Sequence, residues 1–201
     1  MANFIVNKVA VLGAGVMGAQ IAAHLINARV AAILFDLAAK DGPKNAIVMK
    51  AIEALKKQNP APLGVPQLAD LIEAGNYDDD LAKLAGCDLI IEAIAERIEW
   101  KHDLYRKIAP HIAAHTILAS NTSGIPIHRL AEALPVELKE RFCGVHFFNP
   151  PRYMHLVELI PLASTRPAIV DDLEAFLTST LGKGVLRAND TPNFKIGRAH
   201  V

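Results

Sequence analysis

Short runs of uninterrupted apolar residues alternate along the chain with longer stretches whose apolar positions recur at helical spacing. The runs are Lys8 to Leu12, Ala31 to Phe35, Asp88 to Ile94 and Thr116 to Ala119. Helical patterns follow them, the first reaching Ala28 and the others covering Asn45 to Lys57, Ile98 to Ile108 and Pro126 to Leu134. A strand with one wet face alternates apolar and polar residues, whereas a run without alternation is covered on both faces. Strands of the second kind, alternating with helices, predict an α/β protein with a doubly wound, mostly parallel, Rossmann-like sheet. Asn59 to Asp80 holds three prolines, two glycines and three consecutive aspartates, which predicts a loop-rich excursion with one short helix. Beyond Phe142, three further strands (Phe142 to Phe148, Leu156 to Ile160, Val185 to Ala188) and a helix over Pro167 to Leu181 are expected to extend the same sheet.

Composition narrows the class of partner. A chain of 201 residues that is 52% hydrophobic can bury one full core. Lysine plus arginine and aspartate plus glutamate both total 21, so no net field draws nucleic acid or an anionic membrane surface. Cys87 and Cys143 lie far apart and in no metal or redox spacing, which fits a reduced, cytoplasmic setting. The first residues lack the apolar core and cleavage site of a signal peptide, and no stretch reaches the roughly 20 apolar residues that span a bilayer.

The first candidate site is the turn Gly13-Ala14-Gly15-Val16-Met17-Gly18, between the first apolar run and the first helix. In such a turn one glycine permits the bend, the second admits a pyrophosphate close to the backbone, and the third lets helix and strand pack. The helix N-terminus then presents N–H groups to the phosphates. A glycine pattern alone says little, but Asp36 closes the second apolar run about twenty residues on, where a ribose-binding acid is required. A carboxylate there accepts from both ribose hydroxyls and repels a 2′-phosphate, so the expected cofactor is NAD rather than NADP. A turn that serves packing alone is the competing reading.

A second group follows: Ser120-Asn121-Thr122-Ser123 just past a strand, His146 in Gly144 to Pro150, and Glu158 between Val157 and Leu159. In open parallel sheets ligands bind beyond the carboxyl ends of strands, which puts the hydroxyls of the serine-rich segment near the cofactor. If the strands bearing His146 and Glu158 are neighbours, carboxylate and imidazole can pair and draw a proton from an alcohol. A carboxylate within an apolar strand needs a partner, while His146 read alone fits equally a core histidine bonded to a carbonyl. No ligand set of recognised spacing is present, so no metal is expected. His24, His102, His111, His115, His128 and His155 are expected at the surface.

With these residues stand Glu92-Ala93-Ile94-Ala95-Glu96 and Asp190-Thr191-Pro192-Asn193-Phe194, and the set closely resembles the NAD-binding domain of the 3-hydroxyacyl-CoA dehydrogenases of fatty-acid β-oxidation, from about Val6 to Phe194. The resemblance implies that Asp36 binds the adenosine ribose and that Glu96 and Lys101 contact the cofactor near its nicotinamide half. It implies that Ser123 holds the substrate's 3-oxygen and touches the cofactor, with Asn149 a further contact. It implies that His146 is the catalytic base, that Glu158 orients it, and that an L-3-hydroxyacyl-CoA thioester is oxidised to the 3-ketoacyl-CoA. In that family a helical domain follows, closes the cleft and forms the dimer, so a homo-oligomeric parent is expected, similar to large forms that continue into an enoyl-CoA hydratase. Here Gly197 stands where the family has an asparagine. The expected organisation is therefore a domain over 1–190, the start of a linker over 191–194, a non-native tail over 195–201, and no C-terminal helical domain in this chain. A non-catalytic NAD-binding relative and a Rossmann dehydrogenase acting on a free hydroxy acid are the alternatives; the latter typically uses a lysine from a later domain in place of a histidine–glutamate pair.

Overall fold

The computed structural model describes residues 5–191. The strands are β1 (Lys8–Leu12), β2 (Ala31–Asp36), β3 (Glu73–Asn76), β4 (Leu89–Glu92), β5 (Ile117–Ser120), β6 (Phe142–Phe147), β7 (Leu156–Pro161) and β8 (Gly184–Arg187). The helices are α1 (Val16–Asn27), α2 (Ala46–Leu55), α3 (Ile98–Ile108), α4 (Ile127–Ala131), α5 (Val136–Lys139) and α6 (Pro167–Ser179). All eight strands form one sheet in the order β3-β2-β1-β4-β5-β6-β7-β8. Every neighbouring pair is parallel except β6 and β7. The order reverses at β1, and β1 and β4 lie side by side, so the crevice of a doubly wound sheet opens above their carboxyl ends.

Strand β1 shows why the apolar runs are continuous. Val9 and Val11 face one core with α1 and α6, while Ala10 and Leu12 face the other with α3. Successive side chains point to opposite faces of a strand, so both parities must be apolar when both faces are covered. Glycine in β6 has a local cause: a Cβ on Gly144 would stand 2.8 Å from Ile127 and 2.9 Å from Ile160.

Within the excursion at 59–80 the expected short helix is a 3-10 turn at Pro66–Leu71, but the stretch also supplies strand β3, which the apolar pattern does not predict. Glu73-Ala74-Gly75-Asn76 is an edge strand paired only with β2, so it needs no apolar run. Short helices at Leu81–Gly86 and Val136–Lys139 were likewise not expected from the pattern. The expected linker residues 192–194 and tail 195–201 lie outside the described residues. No helix among the described residues is long and apolar enough to cross a membrane.

One histidine departs from its expected surface position. His24 on α1 is half-buried; its Nε2 lies 3.2 Å from the carbonyl of Leu181, and its Nδ1 is buried without a hydrogen-bond partner. Burial, and then the positive charge of Lys183, push its pKa from 6.5 down to about 4, against an opposing pull from the Leu181 carbonyl and with a lesser push from Arg152. An unfolded imidazole takes its proton near pH 6.5 and the folded one only near 4, so stability falls as the pH drops through that window and levels below it. The full loss is about 3 kcal/mol at 1.36 kcal/mol per pKa unit. Urea unfolding at pH 7 and pH 4.5 should show a steeper loss for the wild type than for His24→Gln; identical losses would count against this assignment.

Candidate functional site

The glycine turn caps α1 as its spacing demands. Gly13 has φ +106°, which L side chains rarely adopt, and a Cβ there would sit 2.8 Å from the Ala93 carbonyl oxygen. A Cβ on Gly18 would lie 1.8 Å from the Gly13 oxygen, so helix and turn touch only because none exists. At Gly15 nothing lies within 4 Å of where a Cβ would be. Open space at the N-cap of a twelve-residue helix is the feature a pyrophosphate needs. Ala14, Val16 and Met17 complete the turn, and Met17 lines a cavity described below.

Asp36 ends β2 beside this turn. Its Oδ2 accepts from the Ala14 amide at 2.6 Å and its Oδ1 from the Leu37 amide at 2.7 Å. Each carboxylate oxygen has a second lone pair, so both retain capacity for a ribose hydroxyl. A cavity of about 560 Å³ is lined by Gly13, Gly15, Asp36, Tyr77, Ile94 and Trp100, among others. Polar capacity at Asp36, a helix N-terminus and an open approach at Gly15 together fit the expected dinucleotide.

A second cavity, of about 280 Å³, shares Ala93 and Ile94 with the first and gathers Met17, Glu96, Ser123, His146 and Asn149. Apart from Met17 on α1, these residues lie at or just beyond the carboxyl ends of β4, β5 and β6, which are parallel neighbours in the sheet. His146 on β6 is directly opposite Glu158 on β7 in the antiparallel register, so both side chains emerge on one face. Nδ1 of His146 and Oε2 of Glu158 are 3.0 Å apart; the imidazole side chain is 14% exposed and the carboxylate 2%. The ring also packs on Phe148, centroids 4.5 Å apart. The antiparallel turn between β6 and β7 thus creates the pair that spacing alone left open. Asn121 secures the neighbouring loop: its Oδ1 accepts from the Phe147 backbone N–H at 2.9 Å, and its own backbone N–H donates to the Glu92 carbonyl at 2.7 Å.

Glu96 organises the serine loop. Its Oε1 accepts from Thr122 Oγ1 at 2.5 Å, from the amides of Ser123 and Gly124 at 2.7 and 3.0 Å, and from Ser123 Oγ at 3.2 Å. Partial burial works to raise the carboxyl's pKa, but the Thr122 hydroxyl, the Lys101 charge and the two amides outweigh it and hold it below the usual value. Lys101 is buried beside Glu92 and Glu96. Its side chain is 1% exposed, its Nζ lies 2.6 Å from Glu92 Oε1 and 3.4 Å from Glu96 Oε2, and it stands behind the cavity wall.

Glu92 has a part in the site that its place in the motif does not by itself indicate. Fully buried at the end of β4, it accepts from Lys101, the Ile94 amide, Tyr105 Oη and Ser120 Oγ, all within 2.8 Å. Its signal was available: an acid closing an apolar run, nine residues before a lysine. Asp190, noted only within a motif, accepts from the amides of Ile127 and His128 and from the His128 ring at 2.6 Å, and so fixes the start of α4. Among the described residues no group of three or more histidine, cysteine, aspartate or glutamate side chains is placed to hold a metal ion.

Comparison with known proteins agrees with this geometry. The family model for the NAD-binding domain of 3-hydroxyacyl-CoA dehydrogenase matches residues 8–191. A probable 3-hydroxyacyl-CoA dehydrogenase of Deinococcus radiodurans is 46% identical over 197 residues, 98% of this chain and 57% of that protein. A putative fatty acid oxidation complex trifunctional enzyme of Rickettsia felis is 46% identical over 194 residues, 96% of this chain and 27% of its own length. The crystal structure of 3-hydroxybutyryl-CoA dehydrogenase from Escherichia coli K12 superposes with a TM-score of 0.80 at 30% identity, covering 96% of this chain and 40% of that one. The chain therefore spans between about a quarter and somewhat over half of these relatives. A doubly wound sheet, a glycine turn with Asp36 beside it, and a match over nearly all the described residues make this chain a member of the 3-hydroxyacyl-CoA dehydrogenase family, in the part that binds NAD.

Proposed function

We propose that this chain is the cofactor-binding and base-bearing part of an enzyme that interconverts L-3-hydroxyacyl-CoA and 3-ketoacyl-CoA in fatty-acid β-oxidation. The observation that carries the reading is the His146–Glu158 pair at 3.0 Å, in a cavity that adjoins the Gly13–Asp36 cavity through Ala93 and Ile94. NAD, held by Gly13 to Gly18 and Asp36, supplies the acceptor for the hydride that leaves the carbinol carbon.

The chain's own residues handle the proton. With Nδ1–H directed at Glu158, the imidazole is fixed in the tautomer whose lone pair is on Nε2, and that atom removes the proton of the 3-hydroxyl. Glu158 stabilises the imidazolium as it forms and keeps the ring from turning. Ser123 Oγ donates to the 3-oxygen as it becomes a carbonyl, its backbone anchored by Glu96. Asn149 lines the same cavity and orients the bound pair. Lys101 acts at a distance, holding Glu96 in place.

The parent polypeptide, on this reading, carries a further helical domain that covers the cleft, excludes water and joins subunits into a homo-oligomer. It works in the cytoplasm on acyl-CoA thioesters. The test is an assay of the polypeptide encoded by the complete reading frame, supplied with acetoacetyl-CoA and NADH. NADH should be consumed with the thioester and not with free acetoacetate. Silence with the thioester alongside turnover of a free hydroxy acid would sink the substrate assignment.

A further inference from the structure

Lys183 is a buried cation paired with no anion. It stands in the turn between α6 and β8, directly after Gly182, whose φ of +66° lets the chain leave the helix. A lysine in such a turn ordinarily lays its stem on the surface and keeps its ammonium in water. Here the residue is 6% exposed, and its Nζ donates to the carbonyls of Pro151 and Met154, the latter at 2.9 Å. No carboxylate among the described residues pairs with it, and burial lowers its pKa. Charge nearby is of the same sign, since Lys183 and Arg152 both act on His24.

An unpaired charge in the interior is costly, and an apolar side chain of similar length would fill the space without that cost. What the ammonium adds over such a side chain is two bonds, and both go to the segment that joins β6 to β7. That segment is a rim of the smaller cavity. It begins with Phe148 and Asn149, which line the cavity beside His146, and the His146 ring packs on Phe148. Within itself the segment is closed by the backbone N–H groups of Tyr153 and Met154, which both donate to the Pro150 carbonyl at 3.0 Å. Arg152 and Tyr153 tie it on one side to the Ala61 carbonyl, and Lys183 ties it on the other, from the start of the strand next to β7.

The two halves of the acid–base pair are therefore held differently. Glu158 is buried within β7, between strands on both sides, whereas the His146 ring stands near the end of β6 and rests on a residue of the turn. Given the reading of His146 as the base, we propose that Lys183 is a positioning residue for the reaction: by tying down Pro151 and Met154 it holds Phe148 against the imidazole and so fixes where Nε2 points. Lys183 lines neither cavity and acts only through the turn.

The test uses the polypeptide encoded by the complete reading frame, with acetoacetyl-CoA and NADH. Lys183→Met keeps most of the stem and removes both bonds. Its kcat should fall about 10- to 100-fold, the scale on which a small misplacement of a reacting group is felt. KM for the thioester should stay within about threefold and NADH affinity within about twofold. The variant should melt within about 4 °C of the wild type. Adding Lys183→Met to Phe148→Leu should slow turnover no further than Phe148→Leu alone, because the lysine reaches the base through that ring. Arg187→Gln, on β8 but paired with Asp171 and Glu174 of α6, should leave kcat unchanged. Unchanged kcat in Lys183→Met would overturn the proposal and leave the role of His146 standing. A loss shared equally by kcat, NADH affinity and melting temperature, or a variant that does not fold, would overturn it too, by showing a residue of the fold alone. Additive losses in the double variant, or an equal loss from Arg187→Gln, would also overturn it. A wild type silent with the thioester would instead overturn the enzymatic reading on which the proposal rests.

Discussion

Replacing His146 with alanine, in the polypeptide encoded by the complete reading frame, is expected to lower kcat about 10²- to 10⁴-fold, the range a positioned general base contributes. NADH affinity should stay within about twofold, because the base meets the substrate hydroxyl and has little part in holding the dinucleotide. The split follows from geometry: His146 lines the smaller cavity, while Gly13, Gly15 and Asp36 line the larger. A structural histidine would behave differently. A histidine whose role is only to support the fold would, when removed, lower stability, affinity and turnover together. Single-turnover kinetics beside a fluorescence titration separates the cases, and parallel losses of rate and affinity would end the general-base assignment. Glu158→Gln offers the gentler perturbation, keeping the shape while removing the charge that stabilises the imidazolium.

The elements that were legible in the sequence are those in which one physical requirement dominates. β1, β2, β4 and β5 are buried on both faces, so successive positions along them must be apolar, and they are except at one end of each strand, where Lys8, Asp36, Glu92 and Ser120 stand. The glycine turn is legible because three separate steric demands fall on three positions, and the structure shows each: a positive φ at Gly13, open approach at Gly15, and contact with the Gly13 oxygen at Gly18. What was not legible depends on partners distant in sequence. Strand β3 carries no apolar run, and its glycine is explained only by the ring of Phe35, within 2.9 Å of where a Cβ on Gly75 would stand. Spacing could not decide whether His146 meets Glu158, since that turns on the direction of β7, the one strand that reverses against its neighbour at the turn after β6. Lysine on a helix ordinarily reads as solvated surface, which is why the burial of Lys101 is invisible until α3 is docked on the sheet with Tyr105 one turn further along the same face.

That burial sets the second large expectation, on stability. Lys101→Ala should cost about 3–5 kcal/mol in urea unfolding, the typical loss when one partner of a buried ion pair is removed. Glu92 is 0% exposed and its Oε1 lies 2.6 Å from the lysine nitrogen. Without that cation, a carboxylate would remain in the core with only neutral donors from Tyr105, Ser120 and the Ile94 amide. A loss of this size is a third or more of the stability of many domains. Lys101→Met, which preserves most of the packed volume, should be nearly as damaging, because the missing quantity is charge and not contact area. The double variant Lys101→Met, Glu92→Gln should recover part of the loss, since it removes the unpaired charge along with its partner, and the coupling measured in this cycle isolates the pair. If instead either single variant costs less than about 1 kcal/mol, the ion pair is not what holds α3 to the end of β4. The same variants should loosen the serine loop, for Lys101 reaches Glu96 at 3.4 Å and Glu96 anchors the amides of Ser123 and Gly124. Faster hydrogen exchange at those two amides, under conditions where the sheet remains protected, would connect the buried charge to the cavity that holds His146.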